Sequence, residues 1–126
     1  EAVNEYGIDP ADVYLDCMVF PLSVQSDNGM IYLNTLKRVK EEYPQFKTIC
    51  GLNNISYGLP QEDILNTSFL AMCAALGQEA AYVELTPETG AFIRGLHTLT
   101  GGDEFCMNYI TAYRSSKLDI FRDRSE

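Results

Sequence analysis

The sequence predicts an α/β protein in which short strands alternate with helices along the chain. Three apolar runs bounded by turn residues are typical of strands, and a stretch of helical spacing follows each of them. Alternation of this kind favours a parallel sheet whose strands are joined by helices. A closed barrel of this type needs eight strands, so the pattern indicates either a small α/β sandwich or the last part of a larger barrel.

The first strand–helix unit begins with the strand Val13–Asp16, whose apolar run continues until Pro21 stops it. The segment Ser23–Gly29 is a polar loop. The helix that follows has one apolar stripe, made by Tyr32, Leu36, Val39 and Tyr43. Because Asp16 is a carboxylate within an apolar run, we expect it to be paired, hydrogen-bonded or used to bind a ligand; the alternative is that it caps a neighbouring loop.

The second unit begins with the short strand Thr48–Cys50. Pro60 opens the helix of this unit, and Gly77 ends it. The core stripe of this helix is formed by Leu65, Phe69, Cys73 and Leu76.

The third unit begins with a strand over Ala80–Leu85. Thr86 caps the next helix, and Pro87 occupies its first position. A pair of glycines breaks that helix, after which helical spacing resumes over Asp103–Tyr113. We expect the charged tail, Ser115–Glu126, to fray or pack loosely.

The composition limits the classes of partner. Eighteen acidic and nine basic residues give a net charge of −9, and no cluster of Lys or Arg interrupts the acidic field along the sequence. We therefore expect neither nucleic acid nor an anionic membrane as a partner. The sequence has no apolar run long enough to span a membrane and no signal-peptide pattern, which predicts a cytoplasmic protein.

The cysteines are spaced far apart and form no C-x-x-C motif; they are Cys17, Cys50, Cys73 and Cys106. A zinc site needs clustered ligands, so buried free thiols in a reducing compartment are the preferred interpretation. The only histidine, His97, lies in a helical stretch and is interpreted as a surface or packing residue rather than a base.

Polar side chains follow the second strand at the point where it ends. The apolar run gives way to a small, polar segment, Gly51–Ser56, which holds the adjacent carboxamides Asn53 and Asn54. Ligands of parallel α/β proteins bind at the carboxyl ends of the strands, and a carboxamide can hydrogen-bond a heterocycle without adding charge. We expect a binding face here; the alternative is that both asparagines are ordinary turn formers.

The segment Gly51–Pro60, GLNNISYGLP, resembles the pterin-binding barrel of methyltetrahydrofolate–corrinoid methyltransferases. This family includes the folate modules of cobalamin-dependent methionine synthases and shares its barrel with dihydropteroate synthase. Further matching segments lie within residues 13–22, 65–72 and 104–109. The resemblance covers nearly the whole chain but only the last three strand–helix units of a TIM (β/α)8 barrel. It implies that residues 1–126 are the C-terminal part of a pterin-binding domain.

The resemblance also implies functional roles. It implies methyl transfer from 5-methyltetrahydrofolate to the cobalt of a corrinoid carried by a partner protein. Asn54 matches the residue that lies near nitrogen 5 of the folate and is the predicted catalytic residue. Asp16 matches a carboxylate that accepts hydrogen bonds from the amino-pyrimidine edge of the pterin. Asn53 and Ser56 are weaker candidates for lining the same mouth.

Three other functions are alternatives to methyl transfer. Dihydropteroate synthase would place cations after the corresponding strands to hold a pyrophosphate leaving group, whereas this chain has Asn53, Asn54 and Val83–Leu85 there. That interpretation is therefore disfavoured. A non-catalytic module that binds a pterin or docks a corrinoid protein is the alternative from another class, and an unrelated small α/β domain is the third.

The start of the chain indicates a fragment. Glu1–Tyr6 reads as the last turns of a helix, with Gly7 at its C-terminus, and no Met precedes it. The first five strands of the family barrel would then be absent, together with their pterin contacts. We expect such a fragment to bind weakly alone, and to close its exposed sheet edges by pairing with a second copy.

Overall fold

The computed structural model describes residues 1–120, and the chain divides into two compact units at residues 83 and 84. In the first unit the helices and strands are α1 Ala2–Tyr6, β1 Tyr14–Asp16, α2 Asn28–Glu42, β2 Lys47–Ile49 and α3 Glu62–Ala75, with 3-10 helices at Pro10–Asp12 and Leu52–Ser56. In the second unit they are α4 Pro87–Leu99 and α5 Met107–Arg114, with a 3-10 helix at Glu104–Cys106. The tail prediction for residues 121–126 lies outside the described residues.

The sheet is parallel and follows chain order, as the alternating pattern predicts. β1 pairs with β2 in a register that places Leu15 beside Thr48. The third predicted strand, Ala80–Leu85, is shorter than expected: a single parallel bridge joins Tyr82 to Gly51. The amide of Tyr82 donates to the carbonyl of Cys50 at 2.8 Å. The described residues supply no strand on the far side of Tyr82, so only this one edge holds the segment.

The two faces of the sheet have different surroundings. Thr48 is fully buried on one face, while Tyr14 and Asp16 are exposed on the other. The Lys47 ammonium lies 5.4 Å from the centre of the Tyr14 ring across the strand pair, which is a cation–π contact on the exposed face. Parallel sheets are usually covered on both faces, so the Tyr14 face lacks the cover that such sheets normally have.

The core of the first unit lies between the buried face of the sheet and the helices. Leu36 of α2 is fully buried, and the rings of Tyr32 and Phe69 meet edge to face with centroids 5.4 Å apart. The core consists of Val19, Tyr32, Leu33, Leu36, Cys50, Leu52, Ile55, Phe69 and Cys73. The predicted stripes of α2 and α3 therefore contribute Tyr32, Leu36, Phe69 and Cys73 to it.

Helix boundaries agree with the sequence at several ends and differ at the starts of α2, α3 and α5. α3 begins at Glu62 rather than at Pro60, because Gln61 has left-handed backbone angles. The Thr86 hydroxyl accepts from the amide of Thr89 at 3.1 Å and so caps α4 as predicted. α2 begins at Asn28, within the predicted loop. The Asn28 side-chain amide donates to the Pro21 carbonyl at 2.8 Å. Asn28 therefore makes a tertiary hydrogen bond and does not form a turn.

The start of α5 also differs from the prediction. Helical spacing over Asp103–Tyr113 is interrupted because Phe105 and Cys106 adopt left-handed backbone angles. The Asp103 carboxylate accepts from the amides of Asn108 and Tyr109 at 2.9 and 2.8 Å. Burial would raise the pKa of Asp103, but these backbone hydrogen bonds lower it below its usual value. Asp103 thus secures the first turn of α5.

All four cysteines are free thiols. Cys50 and Cys73 are fully buried, whereas Cys106 is exposed, so the expectation of burial is wrong for Cys106. His97 is exposed, in agreement with its interpretation as a surface residue. Among residues 1–120, no helix has both the length and the hydrophobicity needed to cross a membrane.

Glu79 links the helices to the sheet. Its carboxylate accepts from the amide and the hydroxyl of Thr48 at 2.8 and 2.9 Å and pairs with Lys40 of α2. Burial would raise the pKa of Glu79, but the hydrogen bonds from Lys40 and Thr48 lower it overall. One carboxylate therefore satisfies two buried donors at the start of β2.

Replacing Glu79 with alanine should destabilise the chain by about 1–3 kcal/mol, because both donors of the fully buried Thr48 would lose their partner. Urea unfolding followed by circular dichroism measures this change. The matched control is Glu42→Ala, which removes an exposed i,i+4 pair with Arg38 and should cost no more than about 0.5 kcal/mol.

The same variant should alter the pH dependence of stability. Because the folded-state pKa of Glu79 is depressed, its contribution is present above the unfolded value of about 4.3 and is lost as the pH falls through the folded value. Stability of the parent chain should therefore fall more steeply with acid than that of Glu79→Ala. Parallel stability curves for the two proteins below pH ~4.3 would contradict this role.

Candidate functional site

The candidate site is the 3-10 turn Leu52–Ser56, which follows the carboxyl end of β2. Leu52 and Ile55 point into the core and are almost fully buried. Asn53 and Asn54 lie between them and are exposed. The spacing of the apolar residues therefore decides which side chains face outward, and it leaves both carboxamides available to a ligand.

Tertiary hydrogen bonds hold this turn in place. The amide of Leu22, beyond the end of β1, donates to the Ile55 carbonyl at 3.0 Å. The Ser23 hydroxyl donates to the Tyr57 carbonyl at 2.7 Å, and the Leu52 amide donates to the Tyr82 carbonyl at 3.3 Å. The turn is thus tied to the segments that follow β1 and to the third strand segment. Asn53 and Asn54 are presented on a supported backbone.

The Asn54 carboxamide folds back over Gly51. A Cβ atom at Gly51 would lie 3.1 Å from Asn54 Nδ2, which is tighter than ordinary van der Waals contact. The amide nitrogen therefore lies toward Gly51, and the oxygen faces away from it. The Asn54 side chain forms no hydrogen bond within residues 1–120, so its polar atoms are free to meet a ligand.

Asp16 is exposed at the end of β1, although the apolar run around it predicts burial. Its neighbours alternate, so Leu15 and Cys17 turn toward the helices while Asp16 turns to the open face. Its carboxylate has no ion pair or hydrogen bond in the described part of the chain. Of the roles expected for Asp16, this leaves ligand binding, and it argues against the alternative that Asp16 caps a neighbouring loop. Asp16 is paired in register with Ile49, the last residue of β2. Asp16 and the Asn53–Asn54 turn therefore share one edge of the sheet.

Ser56 is placed differently from the other candidates. It is fully buried, and its hydroxyl donates to the carbonyl of Asn53 at 3.1 Å. This bond secures the turn from inside. Ser56 is therefore not exposed to line a binding mouth, contrary to what the resemblance implies, whereas Asn53 is exposed.

A buried polar network lies under the turn and was not predicted from the sequence. Gln78 donates to Cys50 Sγ at 3.2 Å and to the Ala80 carbonyl at 3.0 Å, and it accepts from the Tyr32 hydroxyl. Burial raises the pKa of Tyr32, which therefore stays a neutral donor. The hydrogen bond to Cys50, together with burial, raises the pKa of Cys73. The only sequence signal was a polar pair, Gln78-Glu79, between a helix and an apolar run.

Comparisons with known proteins show relatives of one kind. The chain is 28% identical to a methylcorrinoid:tetrahydrofolate methyltransferase of Eubacterium limosum over 94% of its own length and 44% of that protein. It is 27% and 26% identical to methionine synthases of Mycobacterium leprae and Mycobacterium tuberculosis over 66% of its length, covering 7% and 8% of those proteins. No family model matches. The chain thus spans less than half the length of these curated relatives.

These relatives confirm the resemblance that the segment Gly51–Pro60 indicates. The chain is similar in sequence to a methylcorrinoid:tetrahydrofolate methyltransferase and to methionine synthases. The mixture of helices and parallel strands in residues 1–120 is consistent with part of an α/β domain.

Proposed function

We propose that the chain is part of an enzyme that transfers a methyl group between 5-methyltetrahydrofolate and the cobalt of a corrinoid protein. The proposal rests mainly on one observation: two polar groups without partners lie at the same edge of the sheet. The Asn54 carboxamide and the Asp16 carboxylate both lie there, exposed and without partners among residues 1–120. The similarity to a methylcorrinoid:tetrahydrofolate methyltransferase supports this choice of substrates.

Asp16 has the chemistry to hold the pterin. A carboxylate accepts two parallel hydrogen bonds, and the amino-pyrimidine edge of a pterin presents adjacent N–H donors. Since no side chain in the described part of the chain pairs with it, Asp16 need not break a contact to do so. Asn53 adds a neutral donor and acceptor beside it.

Asn54 has the chemistry to act at nitrogen 5. In the transfer the methyl carbon forms a bond to cobalt(I), the carbon–nitrogen bond breaks, and its electron pair stays on nitrogen 5, which ends with a proton. Protonation makes the tertiary amine a better leaving group. The Asn54 oxygen faces away from Gly51, so it can accept a hydrogen bond from the protonated nitrogen and hold that proton in place.

The proposal applies to methyl transfer in both directions. The name of the Eubacterium limosum relative puts the methylcorrinoid first and tetrahydrofolate second. The same side chains stabilise one transition state in both directions, so our assignment of Asn54 is independent of the direction. An assay that starts from either methylated partner therefore tests the proposal.

We further propose that residues 1–126 form the last three strand–helix units of a TIM-type barrel in the cytoplasm. The parallel strands in chain order and the open Tyr14–Asp16 face support this architecture. Other strands of the barrel would cover that face and supply the remaining pterin contacts. The chain alone should then hold only part of the site and have little activity.

A second copy of the chain is the proposed occupant of the open face when no further strands are present. Tyr14 and Tyr82 lie in the two segments that pair with β2 and the residues just after it, and their exposed fractions are 48% and 67%. Sedimentation equilibrium of the 126-residue chain should therefore show a dimer at micromolar concentration. A monomer with ordinary cooperative melting would contradict this part of the proposal.

Gly51→Ala tests whether the carboxamide position matters. Gly51 has φ −79°, which alanine tolerates, so the new methyl group acts mainly by pushing Asn54 aside. In a version extended upstream to the whole barrel, we expect methyl transfer to fall about tenfold with little loss of stability. Gly29→Ala is the control, since its Cβ would meet Leu22 at an ordinary 3.6 Å. An unchanged rate for Gly51→Ala would contradict this role of Gly51.

A further inference from the structure

The second unit contains a cavity that the proposed function leaves unused. It has a volume of about 360 Å³ and lies between α4 and the segment from α5 to Lys117. Arg94 and His97 line it from α4, and Lys117 lines it from the other side. This volume is within the range of small-molecule pockets.

The charge of the cavity is opposite to that of the chain. The chain carries −9 overall, yet none of the described residues lining the cavity is acidic. The side chains of Arg94 and Lys117 form no ion pair or hydrogen bond within residues 1–120. In a chain with twice as many acidic as basic residues, the lining thus holds two cations that have no carboxylate partner among residues 1–120.

The rest of the lining limits the kind of anion. The His97 ring lies against Gly102, where a Cβ atom would clash with the imidazole. Ile93 and Ala112 belong to the same lining and add apolar surface to it. Asp103, the nearby carboxylate, is already used by the amides that begin α5.

We propose that this cavity binds a small organic dicarboxylate. The Arg94 guanidinium offers two parallel N–H donors that match one carboxylate, and the Lys117 ammonium on the other side serves the second. The apolar side chains of Ile93 and Ala112 in the same lining suit a hydrocarbon linker, which inorganic anions lack. The cavity is lined by residues of the second unit alone, and this proposal does not depend on the proposed methyl transfer.

The test is a calorimetric titration of glutarate into the 126-residue chain at constant ionic strength, with inorganic phosphate as the comparison. We expect saturable glutarate binding that weakens about tenfold in Arg94→Gln and in Lys117→Gln. Both side chains are exposed, so the variants should keep the far-ultraviolet circular dichroism of the parent. Arg114→Gln, which removes the same charge from α5 outside the cavity, should bind glutarate as the parent does.

Three results would overturn the proposal. The first is the absence of saturable glutarate binding. The second is equal weakening by Arg114→Gln, which would show that net charge alone attracts the ligand. The third is phosphate binding as tight as glutarate binding, which would show that the apolar side chains of the lining contribute nothing.

Discussion

Replacing Asn54 with alanine should lower the rate of methyl transfer about 10²-fold in a version of the chain extended to the whole barrel. The substitution removes the group that we place at nitrogen 5, where charge changes during the transfer. Asn54 is exposed, so stability should stay within about 0.5 kcal/mol of the parent. Stopped-flow absorbance of the corrinoid, with either methylated partner as the start, measures the rate.

The matched control for this variant is Asn34→Ala. Asn34 is an exposed asparagine on the surface of α2, away from the turn, and its loss should leave the rate unchanged. Asn54→Asp keeps an acceptor oxygen and removes the donor, so it should retain more activity than Asn54→Ala. An Asn54→Ala rate equal to that of the parent would favour a non-catalytic module that only binds a pterin or docks a corrinoid protein.

Replacing Leu36 with alanine should destabilise the first unit by about 2–5 kcal/mol. Leu36 is fully buried in the core formed with Tyr32 and Leu33, and a cavity would remain where its side chain was. Small domains have total stabilities of about 5–15 kcal/mol, so this variant should approach global unfolding. Urea unfolding at 25 °C is the measurement.

The control for Leu36→Ala lies on the same helix. Met30 of α2 is 54% exposed, and Met30→Ala should change stability by no more than about 0.5 kcal/mol. Equal midpoints for the two variants would show that the core described around Leu36 does not stabilise the chain.

Much of the first unit could be predicted from the sequence because periodicity and end signals act locally. The spacing of Tyr32 and Leu36 predicts one face of α2, and the spacing of Phe69 and Cys73 predicts one face of α3. Both faces lie in the core. Thr86 could also be predicted, because a capping hydroxyl needs only the amide of a residue three positions later.

Features that depend on tertiary partners could not be predicted in this way. Asn28 looks like a turn residue until the Pro21 carbonyl is placed beside it, and then it belongs to a helix. Asp16 looks buried because its neighbours are apolar, but alternation along the strand turns it to the open face. The third strand is shortened because the described residues pair with only one of its edges.

In the candidate site, too, local features were predictable and features that depend on tertiary packing were not. Asn53 and Asn54 were predictable as a polar break after an apolar run, and the fold exposes both. The burial of Ser56 was not predictable, because it depends on how the 3-10 turn packs against the core through Leu52 and Ile55. Arg94 and Lys117 are distant in sequence, and only the packing of α4 and α5 gathers them at one cavity.

The most direct test of the central claim, a pterin site at the edge shared by Asp16 and Asn54, is a calorimetric titration with 5-methyltetrahydrofolate. It compares the 126-residue chain with the version extended to the whole barrel, each beside its Asp16→Asn variant. We expect weak or no binding by the 126-residue chain, clear binding by the extended version, and about tenfold weaker binding when Asp16 loses its charge. No binding by the extended version, or binding that Asp16→Asn leaves unchanged, would contradict the account.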